Sequence, residues 1–281
     1  MKVKAKAEKS HEVRPGQSIE LLKELHILTR DGKMNQDSRR KLKQVYHLYN
    51  FIEPLLLEAQ AEHPEIHLVD HGAGKSYLGF ILYDLFFKEQ SGGAQIWGIE
   101  TRDELVARSQ ALAARLGFDG MNFLNLSVAE SITSPALPER IDVVTALHAC
   151  NTATDDAIRF ALAKKAKYIV LVPCCQAEVA STLRKNKATA LAEALGEVWR
   201  HPIHTREFGS HLTNVLRCLE LQAHGYEVSV TELIGWEHSM KNELIIAVQK
   251  KLPTRKPTER LNELLQTFGL EELRERFVPV A

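Results

Sequence analysis

Cysteine is scarce: the 281 residues include 4, at positions 150, 174, 175 and 218, too few for the disulfide framework of a small secreted domain. Long apolar runs are missing too. None approaches the roughly 20 residues of a membrane-spanning helix, and none follows the basic start Met1-Lys2-Val3-Lys4-Ala5-Lys6 as the core of a signal peptide would. These absences lead to the expectation of a cytoplasmic protein with no membrane partner. An excess of one charge sign is also lacking. The 36 Lys+Arg balance 36 Asp+Glu, so the total charge does not mark a polyanion binder. Internal repeats and low-complexity tracts are absent.

What is present begins with a hydrophobic content of 44%, ordinary for a globular core. Charge is unevenly placed: residues 1–50 hold 12 Lys/Arg against 6 Asp/Glu. A local basic surface is what nucleic-acid binding requires. A solvated, frayed N-terminus would give the same count.

The most informative stretch is Ile66-His67-Leu68-Val69-Asp70-His71-Gly72-Ala73-Gly74-Lys75-Ser76. It reads as a buried strand ending in an acid, a glycine turn and a helix start, which brings bare backbone close to a nucleotide-like ligand. The next apolar run, Gln95-Ile96-Trp97-Gly98-Ile99, ends in Glu100, where a doubly wound fold holds ribose hydroxyls. The spacing is not that of a three-glycine dinucleotide turn, because Tyr77 stands where a small residue is expected. It is not a P-loop either, because Val69 occupies the upstream glycine position.

Periodicity organises the rest. Residues 1–17 read as poorly ordered. Ser18 caps a helix carrying Leu21, Leu22, Leu25 and Leu28, which Asp31-Gly32 breaks, and a second helix spans 38–60, with Pro54 kinking or ending it. Strands are expected at 66–70, 95–100, 121–126, 141–147 and 168–172. Helices are expected at 75–88, 102–116, 154–165 and 178–200, and another over 209–224. Strands 226–233 and 243–249 are joined too closely for a parallel crossover and must pair antiparallel. Residues 251–257 form a linker, and one or two short helices over 258–276 pack on the domain's edge. The chain therefore divides into a basic, mainly helical N-terminal extension (1–64), an α/β domain (65–250) and a C-terminal linker with helices (251–281).

Asp70-x-Gly72-x-Gly74, with Glu100 after the second strand and five parallel strands followed by an antiparallel pair, resembles the class I S-adenosylmethionine (SAM) methyltransferases. The resemblance implies their seven-stranded Rossmann-like sheet and SAM as cofactor, with S-adenosylhomocysteine as product. By the same resemblance Asp70, Gly72 and Gly74 serve the methionine portion, Glu100 holds the ribose, and Ser127 and Leu147 lie near the adenine. A finer likeness covers roughly residues 38–250. Leu147-His148-Ala149-Cys150, Ala153-Thr154-Asp155 and Cys174-Cys175 are similar to motifs of a subgroup that includes the eukaryotic 2′-O-methyltransferase of the tRNA acceptor stem. Some relatives in that subgroup are fused to a glutathione-transferase-like domain. The basic Ser38-Arg39-Arg40-Lys41 is similar to a Lys-Lys pattern there, whereas Gln176 stands where the tRNA enzyme tends to have histidine. The likeness implies an RNA substrate, bound through the basic N-terminal helix.

Ligands collect beyond the carboxyl ends of such strands, so the chemistry is sought after strands four and five. His148 or Asp155 could orient or deprotonate a hydroxyl acceptor, although Asp155 reads more readily as the cap of the following helix. Cys150 and Cys174 occupy regions where cytosine C5-methyltransferases keep thiolates, but buried unreactive cysteine is the commoner outcome. Their spacing argues against a zinc site, so no metal is expected. A small-molecule or protein methyltransferase, a SAM-binding scaffold and a dehydrogenase stand as alternatives. Oligomeric state is not encoded in any of these features.

Overall fold

A computed structural model describes residues 12–90, 93–147, 149, 151–174, 176–185, 200–233, 242–250 and 256–278. His148, Cys150, Cys175 and residues 234–241 of the hairpin, on which some of the expectations rest, lie outside them, as does 186–199 of the long helix expected over 178–200.

Seven strands form one sheet in the order β3-β2-β1-β4-β5-β7-β6. They are β1 (His67–His71), β2 (Gln95–Glu100), β3 (Met121–Asn125), β4 (Val143–Leu147), β5 (Tyr168–Val172), β6 (Tyr226–Glu232) and β7 (Glu243–Gln249). The first five are parallel, and the interior β5 is continuously apolar, as a strand covered on both faces must be; all five of its residues are buried. β7 enters antiparallel between β5 and β6. The chain is thus an α/β protein with the expected seven-stranded Rossmann-like sheet. β1 pairs with both β2 and β4, so the strand order reverses at β1 and a crevice opens at its carboxyl end.

Ten α-helices are described: α1 (Ile19–Glu24), α2 (Gln36–Glu62), α3 (Tyr77–Leu85), α4 (Asp103–Leu116), α5 (Val128–Thr133), α6 (Ala153–Ala163), α7 (Glu178–Lys185), α8 (Pro202–Ala223), α9 (Lys256–Thr267) and α10 (Arg274–Phe277). Ser18 caps α1, its hydroxyl accepting from Leu21 N, but α1 ends at Glu24, well before Asp31-Gly32. Pro54 does not end α2; it lies inside a 27-residue helix. A helix-interior proline costs about 3 kcal/mol. Burial of Ile52, Leu55 and Leu56, at roughly 1.5–3 kcal/mol each, outweighs that cost. Leu48, Tyr49, Ile52 and Leu55 pack in the same apolar cluster as Leu68 of β1 and Val143 of β4. Residues 12–17 are tied down as well: Gln17 is buried, and Arg14 N donates to Tyr46 Oη (3.1 Å).

Other boundaries move for local reasons. α8 starts at Pro202 rather than 209, because proline is tolerated at the first helical position. Pro257 likewise lies in the first turn of α9 rather than in a linker. α9, α10 and an intervening 3₁₀ turn pack on α7 and α8 through Leu261, Leu265, Phe277, Val179 and Leu216. α8 crosses α7 at Gly209, where a Cβ would stand 2.7 Å from the backbone of Ala180. Gly209→Ala should therefore destabilise the protein by about 1–3 kcal/mol, read as a lower midpoint in urea unfolding with an unchanged slope.

Candidate active site

The turn between β1 and α3 is built on left-handed backbone. Gly72 has φ +66 and Gly74 φ +58, and Ser76, the N-cap of α3, adopts φ +49 despite its side chain. Two bonds lock the turn onto β2: Ala73 N donates to Ile99 O (2.9 Å), and Gly74 N to Glu100 Oε2 (2.8 Å). A Cβ on Gly72 would lie 3.6 Å from Ala149 Cβ and 4.0 Å from Ala153 Cβ, so the segment after β4 closes against the turn.

Two cavities meet here, with Gly72 and Arg102 lining both. The larger, about 500 Å³, has apolar walls from α1, α2 and α3, including Leu25, Val45, Leu48 and Ile81. Its polar lining includes Asp70, Gln44, Lys41, Lys75 and Arg102, and Leu147 also borders it. The smaller, about 380 Å³, is lined by His71, Ile99, Glu100, Leu126, Val128 and Asp156 among others.

The two strand-tip acids differ in electrostatics. Asp70 is buried, and desolvation pushes its carboxyl up to about 7, against the opposing bonds from Thr145 Oγ1 (2.9 Å) and Ser76 Oγ (3.4 Å). Burial acts the same way on Glu100, but is outweighed there. Arg102 grips the Glu100 carboxylate through Nε (3.0 Å) and Nη2 (3.1 Å), and with Gly74 N holds it below the usual carboxylate range. Burial also pushes the His71 imidazole down to about 4, against the pull of Glu100. Neither ring nitrogen of His71 has a hydrogen-bond partner among the described residues.

The remaining expected site residues are distributed less neatly. Ser127 does not line either cavity; its hydroxyl caps α5, a helix the periodicity did not suggest, in a reciprocal box with Glu130. Its neighbours Leu126 and Val128 line the smaller cavity instead. Asp155 is not a cap, because the N-cap of α6 is Thr152. Nor does it line either of the two cavities: its carboxylate accepts from Arg217 Nε (2.5 Å). Cys174 is half-buried just after β5 and also lines neither cavity. Cys218 is on α8, where burial pushes its thiol up to about 12. No cluster of three or more His, Cys, Asp or Glu side chains suited to a metal occurs among the described residues.

Ser76, Arg102 and Arg217 were missed in the sequence. Only Arg217 leaves a local trace there, since Asn214, Arg217 and Glu220 recur at three-residue spacing along α8.

A family model described as "Methyltransferase domain" matches residues 40–182, about half of the chain. The chain belongs to the methyltransferase-domain family. The match runs from the first turns of α2 into α7, and so takes in the glycine turn and both strand-tip acids. Among curated proteins, the glutathione S-transferase C-terminal domain-containing protein of Mus musculus is 24% identical over 240 residues, 79% of this chain and 35% of that protein. The Homo sapiens protein of the same name is 25% identical over 160 residues, 57% of this chain and 23% of that one. The methyltransferase chain thus spans about a third or less of the length of these relatives. Among solved structures, it is similar to an rRNA methylase from Streptococcus thermophilus (9% identity, 66% of this chain and 88% of that chain, TM-score 0.42). It is also similar to magnesium protoporphyrin IX methyltransferase from Synechocystis PCC 6803 (13% identity, 82% and 90%, TM-score 0.45). No described helix is long and apolar enough to cross a membrane.

The raised Asp70 carboxyl makes a testable mark on the ligand-free protein. Between pH 4 and 7 the folded state binds a proton that the unfolded state has lost, so stability falls as pH rises through that window and stays low above it. The Asp70 contribution is on the order of 4 kcal/mol if the whole shift is expressed. Chemical denaturation of wild type and Asp70→Asn at pH 5 and pH 8 should show the variant relatively more stable at the higher pH.

Proposed function

We propose that this methyltransferase transfers a methyl group from SAM to RNA. The observation that carries the reading is the pair of acids on adjoining strand tips, Asp70 and Glu100, at the glycine turn where the two cavities meet. The side chains fit the cofactor. Asp70 has no cationic partner among its hydrogen bonds and would hold the ammonium of the amino-acid end. Glu100 would take the ribose hydroxyls in exchange for part of its hold on Arg102. Ile99, Leu126 and Val128 supply apolar walls for the purine, and Gly72 and Gly74 present bare backbone between the two ends. Leu147 would border the amino-acid end rather than the adenine, given the cavity it lines.

When bound, SAM supplies an electrophilic methyl group on a sulfonium. The chain's own part is to hold the acceptor in line with that methyl and keep water out. His148 is the residue we assign to orienting or deprotonating a hydroxyl acceptor. Asp155, already engaged by Arg217, is not.

RNA as acceptor is supported by the subgroup motifs and by a basic track. Arg39, Arg40 and Lys43 are exposed on the first turns of α2, and Lys41 and Lys75 stand on the larger cavity. A small apolar acceptor is the second reading, favoured by that cavity's apolar walls. Incubation with methyl-labelled SAM and fractionated cell extract, using Gly74→Trp as background, separates the two. Label in RNA supports the first, label only in small molecules replaces it with the second, and SAM bound without any transfer favours a scaffold.

Two predictions refine the reading. SAM affinity should fall as pH drops below about 7, because Asp70 must release a proton to meet the ammonium, with a limiting slope of about tenfold per pH unit. Asp70→Asn should weaken binding and flatten that slope in calorimetric titrations. Replacing Arg39, Arg40 and Lys43 together with alanine should lower RNA affinity and reduce the slope of log K against log salt by about 2 to 3, while leaving SAM affinity unchanged.

A further inference from the structure

We propose that Arg217 is a positioning residue for the transfer step, holding the turn after β4 and the segment after β5 at a fixed spacing around the site. The inference rests on the methyl-transfer reading. Arg217 sits on α8 with its side chain 1% exposed, and its guanidinium fork spreads over separate parts of the chain. Nη2 donates to Asn151 O (2.9 Å) in the turn after β4, and Nε to Asp155 (2.5 Å) in α6. Nη1 donates to Asn214 Oδ1 (3.3 Å). In either orientation of its amide, Gln176 after β5 joins the cluster, as donor to Asn214 Oδ1 (2.7 Å) or, turned over, as acceptor from Arg217 Nη1 (2.7 Å). Arg276 of α10 closes the cluster from outside, bound to Glu178 and 3.7 Å from Asp155 Oδ2.

The turn that Arg217 holds reverses the chain through left-handed backbone at Asn151 (φ +50), which asparagine enters more readily than other L residues, and the guanidinium fixes the carbonyl of that same residue. On either side of it, Ala149 and Ala153 line the smaller cavity and pack toward Gly72. The path from guanidinium to site is therefore short: Arg217, Asn151 carbonyl, the Ala149 and Ala153 wall, the glycine turn. Stability alone is a weak reason to bury this pair, since apolar residues of similar volume commonly serve as well or better. The two acids assigned to the cofactor do not depend on the cluster, and Ala73 N and Gly74 N bond the glycine turn to β2 independently of it. Asp70 is held by Thr145 and Ser76, and Glu100 by Arg102 and Gly74 N. Loss of Arg217 should thus disturb alignment of the acceptor far more than cofactor affinity.

The test compares wild type, Arg217→Lys, and the double variant Arg217→Met with Asp155→Leu, which removes the ion pair without stranding a buried charge. S-adenosylhomocysteine binding is measured by calorimetry, and methyl transfer by label passing from SAM to total tRNA and rRNA. Hydrogen exchange is followed in peptides covering 149–157 and 174–178. We expect the double variant to bind S-adenosylhomocysteine within about threefold of wild type, while kcat falls about 100-fold and the RNA KM changes by less than about threefold. Arg217→Lys, which keeps the charge but not the fork, should fall between. Exchange should quicken at least about tenfold in the two peptides and not in those of β1 and β2. A kcat within about threefold of wild type, or a loss of cofactor affinity as large as the loss of kcat, overturns the proposal. If wild type binds S-adenosylhomocysteine but labels neither RNA, the RNA reading fails by itself. Exchange then decides: quickening confined to the two peptides supports the positioning role, and unchanged exchange overturns it. If the double variant does not fold, Arg217→Lys carries the same readouts.

Discussion

Everything at this site depends on the left-handed backbone at Gly72 and Gly74. The carboxyl end of β1 must turn out of the sheet, admit a ligand and enter α3 within a few residues. A side chain at Gly72 would have room for its first carbon beside Ala149 and Ala153, but would have to adopt left-handed backbone that L residues disfavour. The turn is also no free loop. Its amides at Ala73 and Gly74 are bonded to Ile99 O and to the Glu100 carboxylate, so the turn is tied to the tip of β2. Strand order then does the rest, because a sheet that reverses direction at β1 leaves space at that tip and nowhere closer to the centre.

Given that frame, two carboxylates of the same chemistry acquire opposite properties. Asp70 faces the larger cavity from the sheet, bonded only to neutral hydroxyls and amide, and burial dominates its titration. Glu100 lies where Arg102 can reach it with two nitrogens, and a formed ion pair dominates instead. The first acid is ready to receive a positive group; the second is already satisfied and must exchange partners to bind a neutral one. Such a difference suits a ligand with an ammonium at one end and hydroxyls in the middle.

The far side of the sheet's carboxyl edge is organised by charge rather than by backbone. Arg217 gathers α6, α8 and the segments after β4 and β5, and α10 adds Arg276. The C-terminal helices, which read as an edge decoration, are thereby joined to the wall of the site. Their apolar faces pack on α7 and α8, and Arg276 joins a cluster that α6 and α8 begin.

Alternating strands and helices, the glycine turn, the acids at 70 and 100 and the antiparallel final pair were all legible in the sequence. Each is a local property: an apolar period, a residue that tolerates positive φ, a link too short for a crossover. β2 and β5 fall on the expected residues for this reason. Where local signals and distant packing disagreed, packing prevailed. Pro54 stays inside α2 because its neighbours are buried against the sheet, and Ser127 spends its hydroxyl on an unforeseen helix. Only the tertiary structure could decide what Asp155 does. Its position near the start of α6 suggests a cap, but its partner stands 62 residues away on α8, and no spacing rule reaches that far. The same holds for the two cavities, whose walls come from α1, α2 and α3 on one side and from β2, α5 and α6 on the other. Sequence determined the chemistry available at each strand tip, and the fold determined which of those groups face a common space.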